Sequence, residues 1–312
     1  MARVAAIWSL LVLPVLAGTS TPRPERVTYK TPDGVQIVAD YYAPKTTSQD
    51  RAPIVIMLHQ YPSTRSSWAP IVPLFYQAGY AVLAPDLRGH GDSVEPRSMY
   101  LERGRKSQDT KHYRAAYQDV LGAYEWLRGR KEVDRSRFAL IGASIGTSVS
   151  IAYAALDKSV DVVVCLSPGT NYFGVDSKRD IKRCRDRPIL LISPRKERTR
   201  SETLGAAAKN ATVKIIEDSD KHGTFMFGQV PGIEKTVFEF VQAHIGKPTK
   251  HPVVASVKSN KYHETTCGYA KPGGGRYAIK TENLRVFSSA AEAKARGYTP
   301  CKRCGKSKTK SR

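Results

Sequence analysis

An α/β protein built on a parallel sheet is the fold class this chain predicts, and three observations predict it. Short apolar runs that read as buried strands alternate with segments of helical periodicity between Ile54 and Ile245. Gly142-Ala-Ser-Ile-Gly146 stands where one such strand gives way to a helix. An acid, Glu197, and a histidine, His222, follow later apolar runs. Those strand ends are where a parallel sheet collects its ligands.

Each element has its own signal. Glu25–Tyr42 reads as a β-hairpin, because polar turn residues (Thr31-Pro-Asp-Gly34) divide two alternating runs. Ile54–Leu58 and Tyr80–Ala84 are short apolar strands, separated by a helix through Trp68–Ala78. Lys111–Arg128 places Tyr113, Ala116, Tyr117, Val120, Leu121, Tyr124 and Leu127 on one side, the core face of an amphipathic helix. Phe138–Ile141 is strand-like, and Ser144–Leu156 is small, apolar and helix-compatible. Val160–Leu166 and Pro188–Ile192 read as buried strands, Val213–Ile216 as a shorter one, and Ile233–Ile245 as a closing helix. About twenty residues separate Leu166 from Pro188, too few for a cap domain. An open mouth is expected, suited to soluble or polymer-end substrates rather than a lipid interface.

The serine, acid and histidine make a chemical set. A serine hydroxyl is a poor nucleophile until a base within hydrogen-bond reach takes its proton, and a third group holds that base in the right tautomer. A sharp strand-to-helix turn, which small neighbours permit, lifts the Ser144 hydroxyl clear of the sheet. The Ile145 N–H then lies at a helix N-terminus, aimed where negative charge develops on a carbonyl oxygen. A second donor is expected from Met57-Leu-His-Gln-Tyr-Pro62, with Tyr61 preferred and Gln60 the close competitor. His222 is the expected base. Glu197 is the expected acid, five residues past Ile192, although Arg195-Lys-Glu-Arg198 also reads as a solvated loop. Asp218, Asp220 and Glu202 are the alternatives. The chain order serine, acid, histidine is that of the α/β-hydrolase triad.

Other conspicuous residues have plainer readings. His90 and Asp92 belong to Arg88-Gly-His-Gly-Asp-Ser93 and read as turn chemistry. Cys165 reads as a core filler within an apolar strand. Cys184 lies among Lys182, Arg183 and Arg185, which would lower its pKa if it were exposed; it reads as incidental.

Residues 27 to about 245 resemble a dienelactone-hydrolase-type α/β-hydrolase. The resemblance is carried by Met57–Trp68, Gly79–Ser93, Ile141–Gly146, Leu166–Gly169 and Lys221-His-Gly-Thr-Phe-Met226. It implies an eight-stranded, mostly parallel sheet and hydrolysis of esters or related acyl compounds, with Ser144, Glu197 and His222 as the triad. Two departures stand out. His59-Gln60 replaces the usual His-Gly before the oxyanion loop, and Glu197 stands for the usual aspartate.

Residues 4–17 form an apolar run preceded by Arg3 and ending in Val15-Leu-Ala17. A positive start, a short apolar run and a small-residue end read as a signal peptide cleaved after Ala17, hence export to a periplasm or beyond. No other run is long enough to span a membrane. The chain has 50 Lys and Arg against 28 Asp and Glu, a formal charge of +22. Residues 247–312 hold 16 Lys and Arg against three Glu, so +13 lies in the last fifth. That bias points to an anionic polymer or nucleic acid as a partner, or to a basic end that only keeps the protein soluble.

The same basic end carries His263, Cys267, Cys301 and Cys304, two close pairs of soft ligands joined by a longer loop. A tetrahedral structural zinc site needs that pattern, and in so small a segment the metal would supply much of the folding free energy. A Cys301–Cys304 disulfide is the rival in an exported protein. Tyr262–Ala270, Glu282–Leu284 and Ala290–Cys304 resemble the Ada-type metal-binding domain. In that family's repair proteins the first ligand is a cysteine that takes a methyl group from a DNA phosphotriester. Here His263 stands in its place, so a structural site without methyl transfer is expected.

The resulting organisation is a signal peptide over 1–17, a hydrolase domain over 25–246, a Pro/Lys linker over 247–252, a zinc module over 253–306 and a basic tail over 307–312. The expected function is a secreted serine hydrolase acting on carboxylesters, with peptide or amide bonds open to the same fold. The competing reading is a decayed hydrolase that presents its zinc module to an anionic polymer.

Overall fold

In the hairpin that opens the chain, β1 (Glu25–Lys30) buries only Val27 and Tyr29, the period of two expected of an edge strand. Its partner β2 (Gln36–Tyr42) is largely buried. The strands that follow are buried throughout: β3 (Ala52–Leu58), β4 (Ala81–Pro85), β6 (Val162–Leu166) and β9 (Ile189–Pro194), with Ser193 of β9 the one polar residue among them. A parallel strand covered on both faces has no solvent side to mark. β5 (Val133–Ala143) is the longest, and β10 (Ala211–Ile216), at the far edge, is mostly exposed. The sheet has eight strands in the order β1-β2-β4-β3-β5-β6-β9-β10. All pairs from β4 onward are parallel, and only β1–β2 and β2–β4 are antiparallel.

The computed structural model describes residues 22–44, 51–95, 104–246, 253–264, 267, 270, 279–280, 283–287, 293–294 and 296–303. The expected signal peptide, linker and tail, and Cys304, lie outside them. Among the described residues no helix is long and apolar enough to cross a membrane.

Helices cover both faces of the sheet. On one side pack α3 (Tyr117–Arg128), α4 (Ile145–Leu156) and α6 (Arg198–Ala207), through Val120, Leu127, Val149, Ile151 and Leu204. On the other pack α1 (Val72–Gln77) and α7 (Ile233–Ile245), through Val72, Phe75, Val237 and Val241. Two expected helices are shorter than their periodicity suggests. Trp68–Ala78 divides into a 3-10 turn over Arg65–Trp68 and α1, as Pro70 and Pro73 lack the N–H a continuous helix needs. Lys111–Arg128 divides at Ala116 into α2 (Thr110–Ala115) and α3.

The stretch around Glu197 is not a solvated loop but a 3-10 turn (Arg195–Glu197) running directly into α6. Between Leu166 and Pro188 lie a two-stranded hairpin, β7 (Asn171–Tyr172) with β8 (Val175–Asp176), and the short α5 (Ser177–Ile181).

A second, four-stranded sheet closes the chain: β11 (Val253–Ser256), β12 (Lys261–Glu264), β13 (Leu284–Phe287) and β14 (Thr299–Pro300), in the order β13-β11-β12-β14. It docks on the amino ends of the main strands. Arg285 pairs with Asp161 at 2.9 Å, and the Val286 N–H donates to the Ser136 hydroxyl at 2.6 Å.

Candidate active site and metal cluster

Ser144 sits at the turn from β5 into α4 with φ 50° and ψ −118°, a backbone conformation few non-glycine residues adopt. The motif glycines allow that turn by close approach. A Cβ on Gly142 would lie 2.3 Å from the Gly146 carbonyl oxygen, and one on Gly146 would lie 2.1 Å from that of Leu58. The sequence therefore folds as an elbow here, with the serine at its tip and α4 pointing its amino end at the same place. Among the described residues neither Tyr61 nor Ile145 donates its N–H to a backbone carbonyl outside the helices and strands.

His222 and Glu197 come together: His222 Nδ1 lies 2.6 Å from Glu197 Oε1. Burial raises the Glu197 pKa, but the His222 and Ser167 side chains outweigh it and hold the carboxyl below its ordinary value. The alternative acids lie elsewhere. Asp220 pairs with Lys196 at 2.7 Å, Glu202 with Arg198 at 3.3 Å, and Asp218 is exposed.

Three contacts join this pair to the elbow. The Ser144 N–H donates to the Leu166 carbonyl at 2.9 Å, at the end of β6. The next residue, Ser167, accepts the Gly223 N–H on its hydroxyl, also at 2.9 Å. A Cβ on Gly223 would lie 3.4 Å from that of Ala143, so the histidine loop abuts the elbow directly. Ser167 itself is fully buried with φ 54°, a strained conformation that the surrounding bonds enforce.

Gln60 bridges two loops through its side chain. Its Oε1 accepts from the Thr224 N–H at 2.7 Å and the Thr224 hydroxyl at 3.1 Å, tying the loop after β3 to the His222 loop. His59 donates from Nδ1 to the Gln60 carbonyl and accepts the Leu87 N–H on Nε2, both at 2.9 Å; burial lowers its pKa and keeps it neutral. His90 is buried, T-stacked on His59 and Tyr61, and burial lowers its pKa to about 3.

Sequence reasoning missed Ser167, Thr224 and Tyr172. Tyr172 lies on the β7–β8 hairpin beside Ser144. Burial and the Glu197 carboxylate raise its phenol pKa, against hydrogen bonds from the Ser144 and Arg200 side chains. The hairpin turns through Phe173 (φ 50°) and Gly174 (φ 82°), and Phe173 packs on Tyr61 and Tyr113 over Ile145. Strain at an aromatic turn residue is visible only in the backbone. On the other side of His222 a groove of about 820 Å³ is walled by Ser66, Pro70, Asp220, Phe225 and Phe227.

The two other cysteines are inert. Cys165 and Cys184 are buried, and burial raises both thiols, the reverse of the lowering an exposed Cys184 would show.

In the C-terminal module the ligand atoms of His263, Cys267 and Cys301 lie within 4.8 Å of one another. Cys267 Sγ is 3.6 Å from His263 Nδ1 and 3.9 Å from Cys301 Sγ. A tetrahedral zinc with bonds of about 2.3 Å to sulfur and 2.0–2.1 Å to nitrogen requires separations of roughly 3.8 and 3.6 Å. The donor set and its spacing fit zinc. They do not fit a Cys267–Cys301 disulfide, which needs about 2.05 Å; the Cys301–Cys304 pairing involves a residue outside the described ones.

Sheet order, elbow and strand-end placement define this chain's first domain as an α/β-hydrolase. It belongs to the acetyl xylan esterase family, whose model matches residues 15–180, and residues 242–306 match the metal-binding domain of Ada. An uncharacterised protein of Mycobacterium tuberculosis is 29% identical over 155 residues, 50% of this chain and 49% of that one. The chain thus spans about half the length of the curated relatives it matches. Epoxide hydrolase A of the same organism is 46% identical over 48 residues, 15% of each chain. Two solved structures share the fold. An acetyl xylan esterase from a Paenibacillus species has a TM-score of 0.59 at 18% identity, covering 70% of this chain and 83% of that one. Dienelactone hydrolase from Anabaena variabilis has 0.57 at 18%, covering 72% and 99%.

Proposed function

We propose that the protein hydrolyses carboxylesters with short acyl groups, using Ser144 as nucleophile, His222 as general base and Glu197 as the acid that orients it. The observation that carries this reading is the Glu197–His222 pair held against the Ser144 elbow through Ser167 and the Ala143–Gly223 contact. His222 takes the Ser144 proton as Oγ bonds to the carbonyl carbon, and the N–H groups of Ile145 and Tyr61 receive the oxyanion. His222 then returns the proton to the departing alcohol as its C–O bond breaks. A water, deprotonated by the same ring, cleaves the acyl–serine bond and restores the hydroxyl.

The aromatic hairpin over Ile145 favours a short acyl chain, and the groove past His222 offers the alcohol side room for a polymer end. An acetylated polysaccharide is a substrate of that shape, and an acetyl xylan esterase is among the structural neighbours. The reading of a decayed hydrolase rests on Gln60 and Glu197. Both have work in the frame, Gln60 through Thr224 and Glu197 through His222, so the enzyme is favoured. Within this proposal the zinc site is structural, held by His263, Cys267, Cys301 and Cys304. The apolar segment 4–17 directs export, which N-terminal sequencing of the mature protein tests.

The experiment for the activity is p-nitrophenyl ester turnover together with fluorophosphonate labelling. Wild type should turn over acetate faster than octanoate and be labelled at Ser144. Ser144→Ala should lose both turnover and labelling while keeping its unfolding temperature. Labelling at another residue, or turnover surviving in Ser144→Ala, would sink the proposal.

A further inference from the structure

A second cavity lies at the seam between the two domains, far from the triad. Its volume is about 510 Å³, within the range of small-molecule sites. Arg128, Arg135 and Lys158 of the hydrolase domain line it together with Leu284 and Arg285 of the zinc module. Among the described residues Asp157 is the only acid in the wall, and it is already engaged by the Tyr153 hydroxyl at 2.6 Å and the Ser159 N–H at 2.8 Å.

Two of the four cations are not used up by the fold. Arg128 is paired with Glu125 and Arg285 with Asp161, each at 2.9 Å. Arg135 and Lys158, by contrast, make no side-chain hydrogen bond or ion pair among the described residues. Burial and the neighbouring Arg128 lower the Arg135 pKa, the mark of a cation crowded by cations. Nor do they serve as caps for the helix that ends here. The last carbonyls of α4 are taken by Arg187, which donates to Ala154 at 2.6 Å and to Asp157 at 3.0 Å. A half-buried, unpaired guanidinium in a positively lined cavity is costly unless an anion comes to it. Arginine forks recognise phosphate oxygens in particular.

We propose that the seam cavity binds a small phosphate-bearing ligand, held by Arg135, Lys158 and Arg128 and covered by the zinc module. The ligand is distinct from the acyl substrate. The site lies at the amino end of β5 and the nucleophile at its carboxyl end. Ser136 and Ser144 are eight residues apart along an extended strand, a separation of about 26 Å at ~3.3 Å per residue. Because both domains supply wall residues, occupancy fastens the module to the hydrolase domain.

The test is calorimetric titration of the full-length, zinc-loaded chain with inorganic pyrophosphate in moderate salt. Wild type should bind one pyrophosphate saturably. Arg135→Gln should weaken binding at least about tenfold and Arg135→Lys less, as lysine keeps the charge but loses the fork. The ligand-free Arg135→Gln protein should unfold at the same or a higher temperature than wild type, because an uncompensated cation has been removed. A purely structural arginine would instead lower it. A duplex oligonucleotide without terminal phosphates separates this cavity from polyanion binding by the basic tail. It should not displace pyrophosphate. Equal pyrophosphate affinity in wild type and Arg135→Gln, absence of saturable binding, or displacement by the duplex would each overturn the proposal.

Discussion

Replacing Glu197 by glutamine is the sharpest probe of the site, because it removes a charge with almost no change in shape. In the proposed reaction His222 becomes an imidazolium, and the carboxylate, 2.6 Å from its Nδ1, stabilises that state. A unit charge about 4 Å away is worth roughly 4 kcal/mol at an effective dielectric of about 20. The Glu197 side chain is 14% exposed and that of His222 32%, so solvent screens part of it. About 2–3 kcal/mol remains, or roughly 30- to 150-fold in kcat. The glutamine amide can also offer N–H to Nδ1 and select the wrong tautomer, which carries the expected loss to about 100- to 1,000-fold. KM should barely change. Glu197→Asp keeps the charge but draws it back by about one C–C bond, ~1.5 Å, and should lose far less. The assay is p-nitrophenyl acetate hydrolysis under saturating substrate. A Glu197→Gln enzyme within about threefold of wild type, less than 1 kcal/mol, would refute the assignment. So would an equal loss in Asp220→Asn. The pair also leaves a trace in stability. Its carboxyl pKa is lower folded than unfolded, so the unfolded chain binds more protons between the two values. The stabilisation is complete above about pH 4.3, the unfolded glutamate value, and is lost as pH falls through the folded value. Glu197→Gln should flatten that acid limb in thermal scans.

Three further outcomes follow from the same geometry. Ser167→Gly keeps the left-handed backbone but strips the acceptor from Gly223 N–H; kcat should fall about tenfold with a stability loss of about 1 kcal/mol, read from steady-state kinetics and urea unfolding. Gly146→Ala places a methyl 2.1 Å from the Leu58 oxygen, a backbone-on-backbone clash expected to cost about 3 kcal/mol or more in urea titrations. Chelation of the metal should abolish hydrogen-exchange protection across β11–β14 while leaving kcat within about twofold, since the module docks at the opposite end of β5. Full protection after metal removal would show that the module does not depend on the ion.

Much of this protein was legible from one dimension. The apolar runs of β3, β4 and β6, and Pro188–Ile192 leading into β9, read as strands buried on both faces. Gly142 and Gly146 around Ser144 could only mark a crowded turn. His263-x3-Cys267 and Cys301-x2-Cys304 have the spacing a tetrahedral ion demands. These features are local, set by residue type and by neighbours within a few positions. The partners of Glu197, Ser167 and Gln60 were not local. Glu197 and His222 are 25 residues apart, and Gln60 and Thr224 are 164 apart. Strand order in the sheet, rather than any spacing in the chain, brings them to one rim. The strained Ser167 and Phe173 were hidden too, because a positive φ imposed by surrounding bonds leaves no mark on a serine or a phenylalanine. Arg135 shows the same limit: one of several basic residues between Arg128 and Arg137, it became a crowded, unpaired cation only where the fold partly buried it beside Arg128 and Arg51. Residue chemistry and local periodicity set the elements and the candidate groups, while long-range packing decided which groups meet and how their charges are met.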